Sequence, residues 1–275
     1  MTSTAKPQTT TMPFITCGMY AFTDELKQAW QTFFDLFRGL THDTLDPTLR
    51  FDTDSATLCN DNLFIGHTCG YPLIKSLQHK LSPLCVPVFD APGCNGIYNV
   101  STFITSVNSE ICSLSDSYRG IAAFNSQDSN SGINVFRHSV APLAKGNPFF
   151  SSLIESGSHR QSLIEVAEGR ADVTAIDSVS LALIGDAWPE LADQVKTIGH
   201  SMKTCGLPLV ISNSRLKTID PKKLIAELNE VLNKLPDQHR QCLRLIEFAK
   251  VELNQYQSIL DLEQQSVEMS YPRLI

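Results

Sequence analysis

Residues 120–132 read Gly-Ile-Ala-Ala-Phe-Asn-Ser-Gln-Asp-Ser-Asn-Ser-Gly, an apolar strand-like run followed by small and polar residues before a predicted helix. The first four amide N–H groups of a helix lack intrahelical partners, and the helix start carries about half a positive charge. Small hydroxyl residues there let an oxyanion approach closely. Ser129, Ser131 and Gly132 are therefore candidates for an anion site. Taken alone, the stretch is also compatible with Ser129 or Ser131 acting as an ordinary N-cap.

A second helix start of the same design follows in residues 155–160, Glu-Ser-Gly-Ser-His-Arg. Ser158 opens the predicted helix, and His159 is placed to donate a hydrogen bond to a ligand; the alternative is an incidental surface histidine. The next strand, residues 171–177, ends on Asp177. Ligand sites of α/β proteins gather at the carboxyl ends of strands, so Asp177 is predicted to accept from a ligand amine or hydroxyl.

Residues 66–72, Gly-His-Thr-Cys-Gly-Tyr-Pro, end another predicted strand and begin a helix. Thr68 offers a hydroxyl and Tyr71 a ring or phenol, although a tight strand-to-helix turn explains the stretch equally well. Cys69 also allows an enzyme hypothesis, with His67 or His159 as the base. The flanking motifs of cysteine hydrolases are absent, so no catalytic residue is predicted.

Outward from these stretches, apolar runs of strand length alternate with helical patterns, which predicts an α/β fold with mainly parallel sheets flanked by helices. A helix capped by Thr23 has an aromatic inner face, and another opens at Pro221. Helical signals continue almost to Glu263. Strands are predicted at residues 14–19, 62–67, 84–89, 97–107, 120–124, 172–176, 195–200 and 207–212, with further helices at 72–80, from about 131, and at 159–168.

The composition excludes several classes of protein. With 275 residues, 42% of them hydrophobic and 19% charged, the chain is long and apolar enough to fold as a globular protein. A formal charge of −7 argues against nucleic acid as the partner. No run approaches the ~20 apolar residues of a membrane span, so a protein embedded in the membrane is not expected. The eight cysteines form no C-x-x-C pair, so neither a metal site nor a cofactor is predicted.

The order of these motifs resembles the phosphonate-binding family of ABC-transporter solute receptors. The resemblance spans about residues 14–212 and rests on the motifs already quoted, together with Tyr20 near the start of the chain. It also rests on Tyr118-Arg-Gly and on Gly169-Arg-Ala-Asp-Val-Thr-Ala-Ile-Asp177.

The resemblance implies a two-lobed type II periplasmic-binding-protein fold whose lobes are joined by two hinge strands, near residues 94–98 and 204–208. Lobe 1 would comprise residues 12–96 and 206–275, and lobe 2 residues 97–205; residues 1–11 are expected to be a flexible tail. Both crossings carry Gly or Pro, as hinges often do. Ligand-contact roles carry over to Tyr71, Ser129, Ser131, Gly132, Ser158, His159 and Asp177, and to Tyr20 and Thr68 of lobe 1.

The implied function is capture of a small oxyanion of the phosphonate, phosphate or phosphite class by lobe closure, for uptake through an ABC transporter permease. Receptors of this kind are exported, yet residues 1–20 lack the apolar core of a signal peptide. A cytoplasmic protein is therefore expected, or a periplasmic one if a signal has been removed. The alternative function is an intracellular ligand-binding or sensor protein with the same fold.

Overall fold

The computed structural model describes residues 12–40 and 46–274, so the predicted tail at residues 1–11 lies outside the described residues. Within them the strands β1 to β14 are, in order, Phe14–Thr16, Thr48–Arg50, Leu63–His67, Leu81–Phe89, Cys94–Asn95, Tyr98–Asn99, Ser101–Ser106, Ile121–Phe124, Ser152–Glu155, Val173–Asp177, Val195–His200, Thr204–Cys205, Leu209–Ser212 and Leu245–Lys250.

Helices α1 to α10 in the same residues are Asp24–Leu40, Ser55–Leu58, Gly70–Pro72, Val135–Ala144, His159–Ala167, Ser178–Ala187, Pro189–Ala192, Pro221–Lys234, Asp237–Leu243 and Gln257–Glu268. The structure also has two π-helical turns: Leu73–Leu77 directly follows α3, and Asn130–Asn134 directly precedes α4. Short 3₁₀ turns span Leu114–Ser117, Arg215–Lys217 and Leu253–Tyr256. The predicted strands and helices are present, with bounds that differ by a few residues, but the helical region predicted to continue almost to Glu263 is interrupted by strand β14.

The strands of the described residues form one sheet per lobe and a small third sheet between them. The lobe 1 sheet has the order β14-β4-β13-β3-β1-β2, and the lobe 2 sheet the order β11-β7-β10-β8-β9. The third sheet, β12-β6-β5, is antiparallel and joins the two crossings of the chain. The predicted strand over residues 97–107 is divided at Val100, where the chain leaves the third sheet and enters the lobe 2 sheet.

Both large sheets are mixed rather than mainly parallel. Parallel pairing is confined to β1 with its neighbours β2 and β3, and to β8 with its neighbours β9 and β10. Strand β13 runs antiparallel to β3 and β4, and β7 runs antiparallel to β10 and β11. The reason is that β7 and β13 follow the two crossings between the lobes, so they enter their sheets without the helical crossover that makes neighbouring strands parallel.

Helix α1 packs its aromatic face into lobe 1. The Thr23 hydroxyl accepts a hydrogen bond from the Leu26 amide at 3.1 Å, which confirms the predicted cap. Trp30, Phe33 and Phe37 are fully buried, so the stripe belongs to the core, as predicted. Truncating one such ring to alanine costs about 3–5 kcal/mol.

The C-terminal segment does not stay with lobe 1. Tyr271 and Leu274 are buried in the core of lobe 2, together with Phe136 and Phe150. Helix α10, which precedes them, packs against α4 of lobe 2 and against the π-helical turn Leu73–Leu77 of lobe 1. The domain boundaries expected from the sequence stay a prediction, and this segment contacts both lobes.

Candidate functional site

A cleft of about 800 Å³ lies between the lobes. The first lobe contributes three loops at the carboxyl ends of its parallel strands, and the second contributes the starts of three helices. Seven of the nine residues predicted from the sequence line this cleft: Tyr20, Thr68, Ser129, Ser131, Ser158, His159 and Asp177. The structure thus brings together residues that are up to 157 positions apart.

The first helix start is the π-helical turn before α4. Ser129 has extended backbone geometry, and its hydroxyl oxygen accepts from the Gly132 amide at 2.9 Å, as an N-cap does. The Ser131 hydroxyl lies 3.4 Å from that of Ser129. Because a hydroxyl that accepts from its own helix still has a hydrogen to donate, the N-cap role and the anion-binding role are compatible.

The second helix start is that of α5. The Ser158 hydroxyl oxygen accepts from the Gln161 amide at 3.1 Å, so this serine is the N-cap of α5. Gly157 before it has φ +85°, a left-handed conformation that a side chain would strain. The glycine therefore sets the turn that brings Ser158 to the cleft.

His159 joins the two helix starts to the neighbouring strand. Its Nε2 atom lies 2.9 Å from the Ser131 hydroxyl and 3.3 Å from Asp177 Oδ2. The carboxylate can only accept, which assigns the proton to Nε2. Burial lowers the pKa of His159, while the charge of Asp177 opposes that shift. The other nitrogen, Nδ1, is buried without a hydrogen-bond partner among the described residues.

Asp177 ends β10 and caps α6, the third helix start. Its Oδ1 atom accepts from the Ser180 amide at 2.9 Å and from the Tyr20 hydroxyl at 3.1 Å. Burial raises the pKa of Tyr20 well above its ordinary value, and the nearby Asp177 adds to that shift, so the phenol keeps its proton and donates. The carboxylate is thus already held by groups from both lobes.

Two predicted ligand residues do not line the cleft. Tyr71 is buried among Ile74, Val86 and Tyr256, and its hydroxyl accepts from Lys75 at 2.8 Å. Because α3 and the π-helical turn after it place residues 71 and 75 on one face, this side chain points toward α10 and not into the cleft, and its ligand contact stays a prediction.

Gly132 does not line the cleft, but it packs against Asn125, which does. A Cβ atom at Gly132 would lie 1.9 Å from Asn125 Oδ1, so only glycine lets these segments approach. Its amide is already bonded to Ser129. The cleft also contains residues that were not predicted as ligand contacts, chiefly Asn125, Asp128 and Arg160. Asn125 and Asp128 belong to the polar part of residues 120–132, but a single sequence does not reveal which of these polar side chains face the cleft.

The enzyme hypothesis for Cys69 finds no support in the geometry. Burial raises the pKa of the Cys69 thiol, which leaves it a poor nucleophile. His67 is turned toward a different cysteine, Cys17, whose sulfur lies 3.7 Å from Nδ1. His159, the other proposed base, is engaged by Ser131 and Asp177.

The described residues contain neither a candidate metal cluster nor a candidate membrane-spanning helix. No group of three or more His, Cys, Asp or Glu side chains there could hold a metal ion. None of the described helices combines the length and apolar character needed to cross a membrane.

Residues 23–256 match the protein-family model described as "ABC transporter, phosphonate, periplasmic substrate-binding protein". No match was found among curated proteins.

Several solved structures have a similar fold. The binding-protein component of a phosphonate ABC transporter from Pseudomonas aeruginosa is 20% identical, with a TM-score of 0.72 over 94% of this chain and 87% of that chain. The PhnD1 protein from Prochlorococcus marinus in complex with methylphosphonate is 16% identical, with a TM-score of 0.66 over 92% and 97%. A Xanthomonas citri protein bound to ATP is 13% identical, with a TM-score of 0.60 over 94% and 97%. These similarities identify the predicted two-lobed type II periplasmic-binding-protein fold.

Proposed function

Because this chain belongs to the family of periplasmic substrate-binding proteins of phosphonate ABC transporters, we propose that it captures a small phosphorus oxyanion between its lobes for ABC-type uptake. The family consists of substrate-binding proteins and not of enzymes, in agreement with the sequence-based prediction. The proposed ligand class comprises phosphonates, phosphate and phosphite, which present similar oxygen atoms to hydroxyl and amide donors.

One observation carries this proposal: the hydroxyls of Ser129, Ser131 and Ser158 line the same cleft at the starts of two helices. Hydroxyl groups and helix N-termini both favour negative charge. His159, whose Nε2 is 2.9 Å from the Ser131 hydroxyl, holds that hydroxyl at the cleft. Hydrogen bonds to a charged ligand of this kind are worth about 1.5–3 kcal/mol each.

The binding mechanism that follows is capture by closure. The oxyanion binds first to the helix starts of lobe 2, where most of the hydroxyl donors lie. Thr68 and Tyr20 then approach from lobe 1, and the bond from Tyr20 to Asp177 favours the closed arrangement. A ligand shifts this equilibrium only through contacts that the closed state adds.

The ligands of two structural relatives support the same class. The Prochlorococcus marinus protein is described in complex with methylphosphonate, and the Xanthomonas citri protein as bound to ATP. Both ligands carry phosphorus oxyanions. We propose methylphosphonate as the first probe, because it is the smaller of these two ligands.

Delivery to a permease and the compartment belong to the same proposal. The family is described as periplasmic, and the cytoplasmic location expected from the sequence has no support among the findings. We therefore propose the periplasm as the working compartment and an ABC transporter permease as the partner.

Titration calorimetry and thermal unfolding test the proposal with methylphosphonate, phosphate and phosphite, and with acetate as a carboxylate control. At a ligand concentration of 100 times Kd, binding adds about 2.7 kcal/mol to the unfolding free energy. Heat of binding and a raised Tm are expected with at least one phosphorus anion and not with acetate. The absence of both with all three anions would contradict the proposal.

A further inference from the structure

Behind the serine hydroxyls, a chain of buried polar side chains runs away from the cleft. Asn130 and Asn134 lie in the same π-helical turn, and Arg137 follows in α4. All three are buried, with Asn134 fully inaccessible. A buried amide or charge without a hydrogen-bond partner costs folding free energy. The hydrogen bonds of these three side chains therefore show which segments they hold together.

Each side chain of this network has defined partners. Asn134 Nδ2 donates to Asn130 Oδ1 and to the Ile259 carbonyl, both at 3.0 Å, and Asn134 Oδ1 accepts from Arg137 at 2.6 Å. Both amide hydrogens and the amide oxygen are therefore used. A flipped Asn134 amide would face the guanidinium with its own donors, so the geometry allows one orientation.

The network connects the π-helical turn to the hinge. Asn130 Nδ2 donates to the Thr204 hydroxyl at 3.0 Å, and Thr204 belongs to β12, which pairs with β6 in the small sheet between the lobes. Asn130 also stands between Ser129 and Ser131, whose side chains line the cleft. Any shift of the Asn130 backbone moves both of these serines, because they are its neighbours in the chain.

The other end of the network reaches the C-terminal segment. Arg137 donates to the Pro272 carbonyl at 3.1 Å and lies 3.9 Å from Glu263 of α10. Glu263 in turn accepts from Lys75 of lobe 1 at 2.8 Å. The C-terminal segment is thus a third connection between the lobes, and it contacts the back of the anion-binding turn.

We infer that Asn130, Asn134 and Arg137 are positioning residues, which hold the Ser129–Ser131 turn at a fixed place relative to the hinge and to α10. None of the three lines the cleft. This inference rests on the proposed function for its consequence in binding, but its structural content holds in the ligand-free protein. Positioning within about 0.5 Å is what a preorganised site needs from its supporting residues.

The test compares two isosteric substitutions of buried threonines. Thr204→Val removes the acceptor of the Asn130 amide. Thr105→Val is the matched control, because Thr105 is equally buried in lobe 2 and its hydroxyl donates to the Asp172 carbonyl at 2.7 Å, outside the network. Each variant loses one buried hydrogen bond, so a merely structural role predicts similar losses of global stability.

Amide hydrogen exchange of the ligand-free protein gives the first readout. We expect the amides of Gly132 and Asn134 to exchange about 5-fold faster in Thr204→Val and at the wild-type rate in Thr105→Val, since a lost hydrogen bond eases local opening. Equal exchange at these amides in both variants would overturn the inference. If Thr204→Val does not fold, Arg137→Lys replaces it, because lysine keeps the charge but lacks the two-pronged guanidinium.

Affinity for methylphosphonate gives the second readout. Thr204→Val is expected to bind about 2–10-fold more weakly than wild type and Thr105→Val with wild-type affinity. Wild-type affinity in both variants would overturn the inference. Failure of the wild-type protein to bind methylphosphonate, phosphate and phosphite would contradict the proposed function instead, and the exchange rates would still decide the positioning role.

Discussion

The Tyr20 hydroxyl of lobe 1 donates to the Asp177 carboxylate of lobe 2 across 3.1 Å, with both side chains almost completely buried. The bond joins the lobes inside the cleft itself. One side chain from each lobe therefore lines the cleft and also forms a contact between the lobes.

Tyr20→Phe removes this bond and leaves Asp177 with one partner fewer. We expect the ligand-free protein to populate a more open form, since a hydrogen bond to a charged group contributes about 1.5–3 kcal/mol. Small-angle scattering checks this through the radius of gyration. Tyr118→Phe, at an exposed position, is the control. Scattering curves identical to wild type would show that the bond does not govern closure.

Ser131→Ala removes a hydroxyl at the first helix start. We expect affinity for methylphosphonate to fall by about 1–3 kcal/mol, because one hydrogen bond to a charged ligand is lost. Calorimetry measures this directly. Ser139→Ala is the control, since Ser139 donates back to the Val135 carbonyl in α4 and does not line the cleft. Similar affinities in the two variants would remove Ser131 from the site.

Asp186→Asn weakens a second contact between the lobes. Arg244 of lobe 1 makes two hydrogen bonds to the Asp186 carboxylate, at 2.5 and 2.7 Å, beside a stack of Phe22 on Trp188. Both charged side chains are partly exposed, so the pair contributes at most about 1 kcal/mol. We expect the fluorescence emission of Trp188 to shift to the red in Asp186→Asn. High salt should produce the same shift in the wild-type protein, because salt screens the ion pair. Asp237→Asn, which breaks an ion pair within α9, should leave the emission unchanged.

The buried His67 makes stability depend on pH. Burial lowers its pKa to about 3 from an ordinary value of 6.5. Between these values the unfolded chain binds a proton that the folded protein does not, so unfolding free energy falls as pH falls from about 6.5 toward 3. The slope from this residue is about 1.4 kcal/mol per pH unit.

The measurement is denaturant unfolding of wild type and His67→Leu at several pH values. The variant should have a flatter pH profile in this window, whatever its stability at pH 7. Parallel profiles would mean that His67 does not contribute to the pH dependence.

Local signals in the sequence were sufficient to predict most of the residues that line the cleft. Ser158 and Asp177 each follow or end a strand and begin a helix, and capping chemistry is encoded within three or four residues. The structure accordingly brings their side chains to the cleft. The aromatic face of α1 was predictable for the same reason, because helical periodicity is visible in a single chain.

Non-local contacts explain what the sequence did not reveal. Strand β14 was interpreted as part of a helical region, yet it pairs with β4, some 160 residues earlier. Its burial pattern has no strict alternation, because the pairing with β4 shifts register between Leu245 and Glu247. The side chain of Tyr71 was expected at the cleft but points toward α10. Its orientation depends on packing against α10, and no residue near position 71 indicates that α10 packs there.

The position of β13 inside the lobe 1 sheet has a consequence for the order of folding. All strands of the lobe 2 sheet come from residues 101–200, so that sheet can assemble from one continuous stretch as the chain emerges during synthesis. Lobe 1 cannot, because β13 separates β3 from β4 and is made more than 100 residues later than either. The contact order of lobe 1 is therefore high, and its early strands β3 and β4 keep unpaired edges until β13 has been made. A nascent chain stopped before Leu209 should therefore contain an assembled lobe 2 sheet, whose core still lacks Tyr271 and Leu274, and an incomplete first lobe.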